Sequence, residues 1–193
     1  MTLRPALAAI FIAVLAFAPS SSVTAEGRRE ASAHQHGSGR LAVAVDGRRV
    51  EFEFEVPASD ILGFEHAPST PAETATADAA KATLAQFSNL AALPPEAGCT
   101  QVSAAVELPG PSSGGHADHA HGANHAHDGD HAEVHAVYSF DCTAPERIGT
   151  VAFSYFTRFE RAERLDAMLL GPKGQTAAEL TRASPSLALG GLF

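Results

Sequence analysis

Residues 41–56 constrain the fold more tightly than any other stretch. Leu41, Val43 and Val45 alternate with alanines, Asp46-Gly47 makes a turn, and Val50, Phe52, Phe54 and Val56 alternate with Glu51, Glu53 and Glu55. A period of two on both arms of a turn dipeptide is the pattern of a β-hairpin. Successive side chains of a strand point to opposite faces. The apolar set therefore shares one face and the glutamates share the other. This holds whether a two-residue loop pairs Val43 with Val50 or a four-residue loop pairs Val45 with Val50. One covered face and one wet face is the habit of an antiparallel sheet. Acidic pairs such as Glu51 and Glu53 read as solubility charge on the wet side.

The rest of the chain supplies partners for that hairpin. Pro57 ends its second strand, and a connector carries GFEHAP at residues 63–68. Residues 71–92 read as a helix, with Thr70 as N-cap, Pro71 in the first turn and Glu73 near the positive dipole end. Its stripe of Ala77, Ala80, Leu84, Phe87 and Leu90 or Ala91 would cover the apolar sheet face. Residues 100–108 and 133–142 form a third and a fourth strand, and 148–156, 164–171 and 175–181 form three more. Gly171-Pro172-Lys173-Gly174 is the turn between the last two. The sum is one α+β domain over residues 40–182: an antiparallel sheet of about six to seven strands, one main helix, and a long His-rich loop at 109–132. Residues 26–39 read as a flexible lead-in, and the tail 183–193 has no assigned place.

Length and charge narrow the function. The 193 residues fit one domain, and 13 basic against 22 acidic side chains give a net charge of −9. That balance excludes a nucleic-acid binder working by phosphate neutralisation. Arg4 precedes an uncharged apolar run of about twelve residues, Ala6 to Phe17, and Val23-Thr24-Ala25 places small residues before Glu26. This is the layout of a secretory signal peptide over residues 1–25, cleaved after Ala25, and the run is too short to span a bilayer as a helix. No stable membrane insertion is expected after cleavage. The mature chain, with 12 basic and 22 acidic residues, carries −10. Export to a bacterial periplasm is the expected location.

Cys99 and Cys142 are the only cysteines. In an oxidising compartment such a pair reads as a disulfide; two thiolate metal ligands are the alternative. A hairpin of the third and fourth strands brings the two together, but at a cost in register. Pairing them directly sets Val102 on the face of Ser139 instead of Phe140. A bulge near one cysteine reconciles the bridge with the apolar pattern.

Seven of the ten histidines fall between residues 116 and 135: His116, His119, His121, His125, His127, His131 and His135. They recur every two to four residues, with Asp118, Asp128, Asp130 and Glu133 among them. Imidazole suits Zn²⁺, Cu²⁺ and Ni²⁺, and the carboxylates add negative field. Four donors gather round one tetrahedral ion only if the chain bends freely, and Gly114, Gly115, Gly122 and Gly129 supply that freedom. Part of the binding free energy goes into ordering the loop, so several weak or overlapping sites holding about one to two ions are expected. His34 and His36 form a second His-x-His pair, and His66 in the connector is a third element; it also fits a structural, hydrogen-bonded histidine.

No GxSxG, HExxH or P-loop occurs, so the expectation is a binding protein and not an enzyme. Three readings stay open: a zinc-binding accessory to uptake, a copper or nickel sequestration protein, and a non-metal interaction domain with a pH-sensitive His loop. The motifs then add a resemblance. HQHG, LAVAVDG, FEFEVPASDILGFEHAP, AGC, the His/Asp-rich insert, VYSFDC-x-x-P and GPKGQTAAELT follow in that order. Together they resemble the ZrgA family of bacterial periplasmic zinc-uptake proteins from about residue 34 to 187. The resemblance implies a Zn²⁺-binding protein that assists high-affinity import, beside an ABC-type zinc importer and its periplasmic zinc-binding protein. By that likeness the candidate ligands are the insert histidines, His34 with His36, and His66.

Overall fold

A computed structural model describes residues 36–110 and 132–193. The hairpin forms as β1 (Ser38–Asp46) and β2 (Arg49–Pro57). Of the two pairings expected, Val45 faces Val50, and Asp46 faces Arg49. Gly47-Arg48 is left as a two-residue loop. Gly47 sits at its first central position with φ 56°, where a II′ hairpin turn requires glycine.

After β2 come α1 (Ala58–Ile61), α2 (Pro71–Leu84), β3 (Ala91–Ala92), β4 (Cys99–Glu107) and β5 (Glu133–Cys142). The remainder is β6 (Thr150–Phe153), α3 (Tyr155–Arg158), β7 (Arg164–Gly171), β8 (Gly174–Thr181) and β9 (Ser186–Ala188). Six strands make the main sheet in the order β4-β5-β2-β1-β7-β8. The sheet is mixed, which corrects the expected antiparallel one, because β7 lies parallel to β1. After β5 the chain passes through β6 and α3 before reaching the open side of β1, and it arrives there running the same way. Residues 148–156 do not join this sheet. Their strand portion, β6, pairs with β3 and β9 in a second, three-stranded sheet, and Tyr155 and Phe156 open α3. The unassigned tail contributes β9 to it.

One face of the main sheet is the core side. Leu41, Val43, Val50, Phe52, Phe54, Val134, Tyr138, Leu165 and Leu169 are all buried. The helix is shorter than its periodicity suggests, and α2 buries only Ala77, Ala80 and Leu84. Two small side chains cover little area, so Phe87 and Leu90 from the turn after the helix, Phe153 from β6, Leu187 from β9 and Tyr155 and Phe156 from α3 complete the cover. The helix stops because side chains take its last backbone groups. Tyr138 donates its hydroxyl to the Leu84 carbonyl at 2.6 Å, and Asn89 Nδ2 donates to Thr83 O at 2.9 Å. Gln101 donates to Ala85 O at 3.2 Å and accepts from Phe87 N at 3.1 Å. At the other end Thr70 is the N-cap, as the sequence predicts, and with Glu73 it forms a full capping box.

The cysteines are bridged, with S–S 2.06 Å. Cys99 faces Cys142 and Gln101 faces Phe140, but Ser103, not Val102, faces Ser139. The expected bulge thus falls at Val102, which is expelled to 57 % exposure and leaves the strand's apolar set. Beyond it Ala104 and Val106 return to the core side, opposite Tyr138 and Ala136.

Candidate metal centre

The open face of the sheet carries the alternate residues of each strand. On β2 these include Glu55, and on β5 Glu133 and His135. The β2–β5 register sets Glu55 directly opposite His135 and Pro57 opposite Glu133. Opposed residues of an antiparallel pair hold their Cβ atoms about 4.5–5.5 Å apart, which brings these side chains within reach of each other. One ligand atom from each of Glu55, Glu133 and His135 lies within 4.8 Å of the others. Glu133 Oε2 is 3.5 Å from His135 Nε2. Their side chains are 26 % exposed for Glu55, 17 % for Glu133 and 42 % for His135, so the trio is sheltered yet open to an ion from solvent. Glu107 on β4 is the register partner of His135 on its other side.

An imidazole and two carboxylates form a donor set that Zn²⁺ accepts. A tetrahedral ion with bonds of about 2.0–2.1 Å needs its ligand atoms about 3.3 Å apart, so the trio must draw in by rotamer changes to hold one. Burial alone would raise the Glu55 carboxyl. The Arg40 guanidinium, through hydrogen bonding and charge, outweighs it, helped by a hydrogen bond with Glu133 and the proximity of His135. The net effect holds Glu55 below the ordinary carboxylate value. Arg40 grips both carboxylate oxygens, Nε with Oε2 at 3.2 Å and Nη2 with Oε1. Beside this pair a groove of about 620 Å³ opens on the same face, lined by Arg40, Ala42, Glu55, Asp166 and Met168 among others.

His36 and His66 are not members of this trio. His36 Nδ1 is 2.9 Å from Ser59 Oγ and 3.2 Å from Glu65 Oε1. His66 stacks on Phe64 with ring centroids 5.1 Å apart. Its Nδ1 is 2.9 Å from the Ala67 carbonyl and its Nε2 3.9 Å from Glu73 Oε1. Of the sequence-derived ligands only His135 joins a group of three metal-capable side chains among the described residues. His34, His116, His119, His121, His125, His127, His131, Asp118, Asp128 and Asp130 lie outside the described residues. Glu55 was legible only as one of three wet-face glutamates. Its distinction from Glu51 and Glu53 comes from strand order, which the hairpin pattern does not contain.

Behind His36, the next residue is tied down. Gly37 N donates to Asp60 Oδ1 at 3.0 Å, and Gly37 O accepts from Glu163 N and Arg164 N, each at 2.8 Å. Asp60 is only 4 % exposed, and its Oδ2 has no hydrogen-bond partner among the described residues. Burial pushes its carboxyl above the usual value, opposed by the Gly37 amide and by His36 and reinforced by Glu163 and Glu65. A raised acid contributes stability below its unfolded value and loses that contribution as pH rises through the folded one. Asp60→Asn keeps an acceptor for Gly37 and removes the buried charge. The expected outcome is a Tm gain of about 2–4 °C at pH 7 that vanishes below about pH 4, checked by thermal melts at both values.

No curated protein sequence matches the chain. The family model described as "ZrgA family zinc uptake protein" matches residues 33–189, a span that takes in His36, the bridged cysteines and all three residues of the trio. With most of its length inside that match, the chain belongs to the ZrgA family of zinc uptake proteins.

Proposed function

We propose that the protein is an exported Zn²⁺-binding accessory that assists zinc uptake or buffering in the periplasm. In this reading the His/Asp-rich segment 109–132 collects the metal and the trio at its foot holds it in a defined place. The observation that carries the reading is adjacency. The trio contains Glu133 and His135, and six histidines lie within the twenty residues before Glu133. Ions gathered by the tract are thereby delivered next to a partly sheltered imidazole–carboxylate set. Membership of a zinc uptake family supports zinc as the cargo. The apolar run at residues 6–17 supports export. The protein binds and does not catalyse, and passes its metal to a periplasmic zinc-binding protein or an ABC-type importer. His34, His36 and His66 are further candidate ligands, the first two preceding β1 in the sequence and the third in the connector.

Zinc titration of residues 26–193 with and without residues 114–131 tests this. The expected result is loss of the tract's about one to two ions and retention of one weaker ion, which His135→Ala then removes. An unchanged stoichiometry after the deletion overturns the role of the tract.

A further inference from the structure

Six side chains, one from each strand of the main sheet, share a single register on the open face. Glu107 faces His135, His135 faces Glu55, Glu55 faces Arg40, Arg40 faces Asp166, and Asp166 faces Glu179. Arg40 thus stands between two carboxylates, Glu55 on β2 and Asp166 on β7. It holds Glu55 through both carboxylate oxygens, the two-pronged arrangement that matches guanidinium to carboxylate. Those oxygens are also what Glu55 has to offer a metal ion.

We infer that Arg40 and a divalent zinc ion are alternative counter-ions of Glu55, and that Asp166 receives Arg40 when the ion enters. This rests on the reading that Glu55, Glu133 and His135 bind zinc. Two cations crowding one carboxylate repel each other, so the ion displaces the guanidinium. The displaced side chain has somewhere to go. Asp166 is the register partner of Arg40 on its other side, and its Oδ1 lies 3.2 Å from Arg164 Nε. Arg40, Glu55 and Asp166 all line the same 620 Å³ groove, and the Arg40 side chain is 54 % exposed. The exchange therefore needs side-chain rotation through open space and no backbone movement. Its consequence is a metal site weakened on purpose: each zinc bound breaks the Arg40–Glu55 pair, the Asp166 pair offsets that loss only in part, and Arg40 drives release when the metal is drawn away. That suits a protein that hands its cargo on.

The test is zinc titration of the full mature chain against a chelating indicator, comparing wild type with Arg40→Met, Asp166→Asn and His135→Ala. The Arg Nε–H resonances are followed by NMR in parallel. The reading of the site predicts one ion fewer in His135→Ala; an unchanged count there sinks the site itself and with it this inference. Given that loss, Arg40→Met should bind the ion about two- to fivefold tighter, as an exposed pair of up to about 1 kcal/mol implies. Asp166→Asn should bind it about two- to threefold weaker, and one Arg Nε–H resonance should move on zinc addition in wild type. Equal or weaker binding by Arg40→Met overturns the competition, for Arg40 would then be orienting Glu55 for the metal. Should Arg40→Met not fold, Asp166→Asn decides alone, and an unchanged affinity there overturns the second position for Arg40.

Discussion

Reduction of the Cys99–Cys142 bridge, or its replacement by Cys99→Ala with Cys142→Ala, is expected to lower stability by about 4 kcal/mol. The bridge encloses 42 residues, and the chain-entropy treatment assigns a loop of that length about this value. The native contacts of β4 make the loss hard to absorb. β4 is an edge strand with β5 as its one neighbour in the sheet, and none of its residues is fully buried. Beyond the ladder it is held by the disulfide and by Gln101, whose side chain spans Ala85 O and Phe87 N. Without the bridge, β4 should therefore open before the rest of the sheet. Hydrogen exchange distinguishes this from uniform weakening: amides in β4 lose protection first and those of β1 and β2 last. Equal protection loss in β4 and β1 would contradict the edge-strand argument.

Phe54→Ala is expected to cost about 3–5 kcal/mol, the range for a fully buried aromatic. Phe54 is 2 % exposed and stands where the two sheets meet. Its ring lies 6.0 Å from Tyr138 on the main sheet, 6.4 Å from Phe153 on the small sheet and 5.7 Å from Tyr155 on α3. Truncation leaves a cavity between layers that no single strand can close by shifting. The neighbouring Glu53→Ala, on the open face one residue away, should change stability by no more than about 0.5 kcal/mol. Denaturant melts of the two variants check the contrast. Similar losses in both would mean that the open face is covered by something the described residues do not include.

How much was legible differs from element to element. The faces of β1 and β2 follow from alternation alone, because a strand's period of two is local. The bulge at Val102 follows from arithmetic on two facts, the cysteine spacing and the apolar positions of the facing strand. The end of α2 does not follow. Phe87 and Leu90 keep helical spacing in the sequence, yet Gln101 and Tyr138 take the backbone groups that a longer helix would use. The parallel pairing of β1 with β7 was equally hidden, since hydrophobic alternation is the same in both orientations.

The chain by itself determined the hairpin and its two faces, the cysteine bridge with its compensating bulge, and the family, which the order of short motifs already suggests. These depend on neighbours in sequence or on fixed spacings. Only the tertiary structure decided that the sheet is mixed, that a second small sheet and not a longer helix completes the core, and that Glu55 meets His135 while Arg40 guards it. Glu55 and His135 stand eighty positions apart. What joins them is the placing of β5 beside β2, a choice made by the packing of Phe52, Phe54, Tyr138 and Phe140 on the opposite face.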